Sequence, residues 1–404
     1  MLIFLTAVVV VLAVTLVLGL GPASQSRAWS ATVTPLASII GSGFLICGPL
    51  LAHEFGGAAS LAMAALLALA YALGAVLRFN IAHLEPLLAK AVFHDRLAWA
   101  ARASQMVLAI AYSISVAYYL KLLAEFALKE VALTPQAHAL VAKGVVTLLI
   151  LAFAAIAARG GHRRMEQLAH MTVSLKIGVI AGMLTALALY WLLRWDASAV
   201  VPPAKFSIGS IGLVLGLLVT VQGFETSRYL GHSYEAPLRI RTMRYAQWLS
   251  SAIYMAFVML LTPFLAAAGQ VKGVAGILDI MNLAAPLMGI VVLVGALASQ
   301  LSAAVADSIG AAGIAAEVTR GRLGVRAGFL ASGALSIAVV WLTNPFLVVA
   351  VASRAFAIFY AAQCGLAMIV ARRTKVGGLA AQGAFAVLAL VSLVAAMAGA
   401  PAEG

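Results

Sequence analysis

Twelve apolar runs, separated by short polar or basic stretches, divide the chain from end to end. They lie at roughly 1 to 20, 33 to 52, 58 to 77, 103 to 124, 138 to 158, 170 to 193, 207 to 230, 247 to 269, 284 to 316, 327 to 343, 345 to 371 and 378 to 399. A helix needs ~20 apolar residues to cross a bilayer, so the pattern predicts an all-α membrane protein of about twelve transmembrane helices. The run at 284 to 316 exceeds that length and is expected to tilt or to project past the bilayer. No Lys or Arg precedes the first run, which therefore lacks the basic start of a secretory signal peptide and reads as a membrane helix.

Two of the runs carry interruptions. Ile40-Gly41-Ser42-Gly43-Phe44 places two glycines around a serine in the middle of the second run. Gly weakens a helix interior by about 1 kcal/mol against Ala, and any backbone group freed in hydrocarbon needs a new partner. Such a break suits a cavity that holds a small charged solute between half-helix ends; the other reading is close packing of a neighbouring helix on the glycines. Val221-Gln222-Gly223-Phe224-Glu225-Thr226 interrupts the seventh run in a similar way.

The composition agrees with a polytopic membrane protein: of 404 residues 64% are apolar and 10% charged, with a mean hydropathy of +1.08. A net charge of +13 does not point to nucleic acid, because the cations fall in short clusters between apolar runs rather than on one surface. They report topology instead. If the loop with Arg27 is cytoplasmic, alternate loops place eighteen Lys and Arg on that side and six on the other, as the positive-inside rule requires. Both termini are then expected outside, in what reads as a bacterial plasma membrane. Cys47 and Cys364 lie inside apolar runs, and neither has a metal-ligand or disulfide spacing.

Two cations, Lys176 and Arg354, sit inside apolar runs. Ionisable groups at such depth usually face a cavity or a partner. A Lys ammonium held between helices can do the structural work of a bound Na⁺ and can release and regain a proton. Alternatively it stays charged, pairs with a carboxylate such as Asp307 and braces the bundle. Arg354 is a candidate for a substrate contact or a structural charge. Gly41 and Gly223 are 182 residues apart and Lys176 and Arg354 178 apart, which suggests equivalent places in two repeats.

Glu225 is a carboxylate in the second break, either functional or paired locally with Arg228. Gln300 and Asp307, seven residues apart, share one helix face, with Ser299 and Ser302 beside them. Tyr112, Ser113, Ser115, Tyr118 and Tyr119 offer hydroxyls and aromatic faces on the fourth run. The candidate substrate-binding set is Ile40, Gly41, Ser42, Gly43, Phe44, Tyr112, Gln222, Gly223, Phe224, Glu225 and Ser299; the candidate proton-coupling set is Lys176, Glu225 and Asp307.

With both breaks in hand, the chain resembles the amino acid-polyamine-organocation (APC) superfamily. Ile40 to Phe44 is similar to the glycine-rich break of that family's first core helix, and Gly223-Phe224-Glu225, followed by Glu235-Ala236-Pro237-Leu238-Arg239, to its sixth helix and the loop after it. The resemblance covers roughly residues 33 to 371. It implies a five-plus-five inverted repeat with discontinuous first and sixth core helices, backbone N–H groups receiving a substrate carboxylate, and an aromatic gate at Phe224. It also implies a lysine at 176 in the space that sodium-coupled relatives fill with Na⁺. The expected divisions are an extra helix at 1–26, repeats at 27–200 and 201–374, and a last helix at 375–404. Asp307 and Arg354 depart from the family's pattern.

The expectation is a secondary transporter of a small amino acid or related amine, proton-coupled or an exchanger rather than sodium-coupled, with no cofactor and no metal site. A nucleobase, a carboxylate or an inorganic ion are alternative solutes on the same fold, and a non-transporting sensor or assembly subunit is an alternative role. Catalysis is disfavoured, since His53-Glu54 lacks the second His of a zinc helix and no nucleophile and base stand at motif spacing. The expected partners are a small-molecule substrate, protons and membrane lipid.

Overall fold

The computed structural model describes the backbone except at residues 42, 91–94, 129–130, 195–200, 232, 269, 271–275, 344 and 400–404, and the side chains of those residues apart from 23, 25, 160–163, 166, 208, 219, 345–347 and 349–350. Among the described residues the chain is 89% helix with no strand. The helices are α1 Leu2–Leu20, α2 Arg27–Ile39, α3 Gly43–Phe55, α4 Ala59–Phe79, α5 Glu85–Lys90, α6 Arg96–Leu128, α7 Pro135–Arg194 and α8 Ile208–Gly216. They continue as α9 Ala236–Leu260, α10 Leu265–Ala268, α11 Ile277–Ala284, α12 Met288–Val318, α13 Val325–Leu342, α14 Pro345–Thr374 and α15 Gly378–Ala398.

Among the described residues nine helical stretches are long and apolar enough to span a bilayer, or ten if α9 and the helical turns through Ala268, bent by 47°, form one span. The breaks account for the difference from twelve apolar runs. With 13 residues in α2 and 9 in α8, neither half-helix reaches the ~20 residues of a span, and Gly43–Lys90 forms one stretch of 48 residues. A second difference lies in α7. The basic segment near Arg159 to Arg164, expected to be a loop, is helical backbone joining two apolar stretches, Pro135–Arg159 and Gln167–Arg194. Ala, Arg, Met, Glu and Gln around it are good helix formers, so two glycines do not end the helix.

Two apolar cores divide the bundle. The larger gathers α2, α3, α4, α9, α11, the second half of α7 and the start of α12. The smaller gathers the second half of α6, the first part of α7, the end of α12 and α13. The two broken segments lie in the first core, and α6 and α12 run through both. At the edge of the larger core, α1 buries the stripe Ile3, Ala7 and Val11 on α7. Small residues allow that approach: a Cβ at Gly178 would lie 2.7 Å from the Val11 carbonyl oxygen, and one at Gly182 2.7 Å from that of Ala7.

Candidate functional site

A helix leaves its last four carbonyls without intrahelical donors, and α2 ends in the middle of the bundle. Pro35 further weakens its last turns, having no N–H to give. Side chains from other helices take up the exposed oxygens. Lys176, fully buried on α7, donates to the carbonyl oxygens of Ala37 at 2.8 Å and Ile40 at 2.7 Å, and to Ser302 Oγ on α12 at 2.8 Å. Three neutral oxygens thus receive the three ammonium protons. The alternative pairing of Lys176 with Asp307 does not occur.

From α9, the Tyr254 hydroxyl reaches the remaining gap. It lies 3.1 Å from the Ile39 carbonyl oxygen and 2.6 Å from that of Thr220, so one hydroxyl faces the ends of both broken segments. These segments also touch directly. A Cβ at Gly43 would fall 2.3 Å from Thr220 Cβ, and one at Gly223 2.5 Å from the Ile39 nitrogen. Gly223 also has φ +116°, a conformation that side chains disfavour. Gly41 faces α6, where a Cβ would lie 2.9 Å from Tyr119 Cε1. The helix is broken at these glycines, and the break is closely packed.

Two buried carboxylates stand beside these ends. Asp307 Oδ1 accepts from Ser38 Oγ at 2.6 Å. Glu225 accepts from the Gly223 backbone N–H at 2.9 Å, from the Tyr360 hydroxyl at 2.8 Å and from the Tyr112 hydroxyl at 3.3 Å. The Phe224 ring stacks on Tyr360, with centroids 5.6 Å apart and planes 19° from parallel. Glu225 accordingly gathers α6 and α14 around the second break, and its carboxylate does not pair with Arg228.

Arg228 turns away from the break. It bonds Gln363 Oε1 on α14 and lies 3.8 Å from Glu85. Arg239 grips the same carboxylate with both guanidinium ends, at 3.0 and 2.6 Å, and donates to the Arg228 carbonyl oxygen at 2.6 Å. Asn80, at the start of a π-helical turn between α4 and α5, donates to Gln363 Oε1 at 2.9 Å, and Gln363 donates to Ser104 on α6 at 2.9 Å. A buried polar layer thereby ties α4, α6, α9 and α14 together on the side of the basic loops.

The structure thus brings together Ile40, Gly41, Gly43, Tyr112, Gly223, Phe224, Glu225, Lys176 and Asp307. Ser42 lies outside the described residues. Gln222 is buried, and its Oε1 has no hydrogen-bond partner. Phe44 packs against Tyr254 and Phe257 and lines a narrow crevice with Val179, Met183, Val292, Gly295 and Ser299. Arg354 is exposed on α14, outside the cluster, so its surroundings differ from those of Lys176 despite the matching offset. Ser38, Thr220, Tyr254 and Tyr360 escaped the sequence reading. A lone hydroxyl in an apolar run carries no signal of its own, and their partners are 34 to 269 residues away.

A family model described as APC superfamily transporter matches residues 22–399. An uncharacterized protein of Aquifex aeolicus (strain VF5) is 37% identical over 362 residues, which is 87% of this chain and 86% of the relative. Crystal structures of two mutants of a manganese transporter from Eremococcus coleocola are similar in fold, each with a TM-score of 0.55 and 12% identity over 91% of this chain and 86% of the neighbour.

Proposed function

Because the chain belongs to the APC superfamily of transporters, we propose that it moves a small amino acid or a related amine or zwitterion across the membrane by alternating access, coupled to protons or in exchange rather than to sodium. One observation carries this reading: the Lys176 ammonium holds the carbonyl end of α2 and Ser302 of α12 at once. A cation at a helix C-terminus is favourable on its own account. Here it also spans the gap between a broken helix and its neighbour. Loss of one proton leaves two donors for three oxygens, so the grip of α7 on α2 and α12 loosens as the lysine is deprotonated. Proton occupancy and the distance between two helices become linked, which is what coupling needs.

Glu225 supports alternating access from the other direction. Tyr112, Tyr360 and Phe224 meet over the second break through its carboxylate, and the Glu85–Arg228–Arg239 layer lies beyond them. On our reading, with the basic loops inside and both termini outside, these contacts form the gate on the cytoplasmic side. Solute release on that side requires the Glu225 contacts to part.

The test is uptake into proteoliposomes of labelled amino acids, amines and nucleobases, with and without an inward proton gradient, for wild type and Lys176→Ala. Gradient-dependent uptake of one class, lost in the variant, is the expected result. Gradient-driven uptake that persists in Lys176→Ala rules out the coupling role.

A further inference from the structure

The surroundings of Asp307 say what it is for. The residue is completely buried on α12, and one carboxylate oxygen is held by Ser38. The other, Oδ2, is buried and has no hydrogen-bond partner. Ser115 on α6 approaches the Asp307 carboxylate as a hydrogen-bond partner, although the buried Oγ falls short of ordinary hydrogen-bond geometry. Seven residues before Asp307, both ends of the fully buried Gln300 amide lack partners as well. Buried polar groups are nearly always satisfied. Asp307 Oδ2 is such an exception, and a buried carboxylate oxygen left open marks a place where something else binds.

The charge of the missing partner follows from the neighbours. Among the described residues neither Asp307 nor Glu225 forms an ion pair; the pairs present join His138 to Glu125, Arg228 and Arg239 to Glu85, and Arg373 to Asp95. Lys176, the cation in this region, has committed its protons to Ala37, Ile40 and Ser302. A lone carboxylate in the middle of a membrane protein is unfavourable unless it takes up a proton or a cation meets it. Water can satisfy the unpartnered atoms but cannot supply that charge.

The chemistry of the donors narrows the class further. Asp307 Oδ2 and Ser115 Oγ offer one charged and one neutral oxygen. Divalent metals of the hard type ask for six or more oxygen ligands, usually with several carboxylates, whereas an ammonium asks for about three acceptors. The fold already holds one ammonium in this manner, on the other side of the same helix end, where two carbonyls and a serine receive Lys176. Ser38, between Ala37 and Ile39 on α2, links the two places.

We propose that Asp307, with Ser38 positioning its carboxylate and Ser115 beside it, receives the ammonium group of the transported solute. This deepens the transporter reading and rests on it, and it places the cationic end of the solute on α12 and α6. An amine without a carboxylate then binds, and a carboxylate without an amine does not.

The experiment uses purified full-length protein in detergent and follows the thermal shift caused by putrescine, L-alanine, methylammonium, propionate, K⁺ and Mn²⁺ in wild type, Asp307→Asn and Ser115→Ala. At least one ammonium compound is expected to stabilise the wild type. Asp307→Asn, nearly isosteric and still able to accept from Ser38, should weaken it by about tenfold or more, as loss of a hydrogen bond to a charged group implies. Ser115→Ala should weaken it by about threefold, which keeps the test open if the Asn variant fails to fold. The assignment is overturned if no ammonium compound stabilises, if both variants bind it like wild type, or if K⁺ or Mn²⁺ gives the shift that Asp307→Asn removes. Counterflow of the bound compound in proteoliposomes tests transport separately. Binding lost in Asp307→Asn without counterflow in wild type leaves the site standing and defeats the transporter reading; counterflow of propionate untouched by Asp307→Asn does the reverse.

Discussion

Lys176 Nζ and the Ile40 carbonyl oxygen stand 2.7 Å apart although 136 residues separate them in the chain. The contact closes the end of a helix that stops inside the bundle, and it makes α2 depend on a side chain of α7. Lys176→Ala leaves Ala37, Ile40 and Ser302 without their donor. The folded protein should persist with a lowered melting temperature, since each orphaned group costs about 1–3 kcal/mol at most and water can enter the vacated space. Uptake should no longer respond to a proton gradient. Melting by intrinsic fluorescence and gradient-driven uptake, measured together, check both halves.

Tyr254 touches both breaks through one oxygen. Tyr254→Phe retains the ring packing on Phe44 and removes only the hydroxyl, so stability should fall by about 1 kcal/mol. If the two breaks act as a unit, maximal uptake should fall several-fold with little change in folding. Uptake kinetics against solute concentration give the split between rate and affinity; a wild-type rate would mean that the breaks do not depend on this bridge.

Gly223 combines a left-handed backbone with a neighbour at 2.5 Å from any Cβ. Gly223→Ala should abolish uptake and sharply reduce the yield of folded protein, because the obstructing atoms are the backbone and side chain of Ser38 and Ile39. Gly321, with φ +78° and nothing within 4 Å, is the control. Gly321→Ala should cost only the conformational term, about 1–2 kcal/mol, and leave uptake intact. Size-exclusion profiles and uptake of the two variants distinguish a packed glycine from a merely left-handed one.

Arg239 serves Glu85, the Arg228 carbonyl and the Tyr234 carbonyl from one guanidinium. Lysine keeps the charge but cannot hold four acceptors in a plane. Arg239→Lys should therefore lower stability by about 1–3 kcal/mol, at the lower end because Glu85 is 27% exposed and screened. Arg241→Lys, on the exposed side of the same helix, should stay within about 0.5 kcal/mol of wild type. Thermal melts of the two variants decide whether the polar layer, rather than net charge, holds the helix ends.

Much of the fold was legible before any coordinate. Apolar runs marked the spans, and glycines marked the breaks, paired at Gly41 and Gly43 and single at Gly223. Other features were not. The offset that pairs Lys176 with Arg354 places both inside helices, yet one is buried and the other exposed; a turn of about 100° per residue lets a difference of a few positions reverse the face. Glu225 stands three residues from Arg228 and looked like its partner, but the 3-10 turns of Phe224–Leu230 send the two side chains to different layers.

The sequence by itself determined where this chain is apolar, where glycine breaks its runs at Gly41–Gly43 and Gly223, and where positive charge falls between them. Those are local properties, set by the demand that lipid makes on every backbone group and by the charges next to each span. Only the tertiary structure decided which oxygens Lys176 holds, that Tyr254 faces both breaks, and that one oxygen of Asp307 is left without a partner. Such contacts join helices more than a hundred residues apart, or turn on the direction of one side chain, and neither is written in a run of apolar letters.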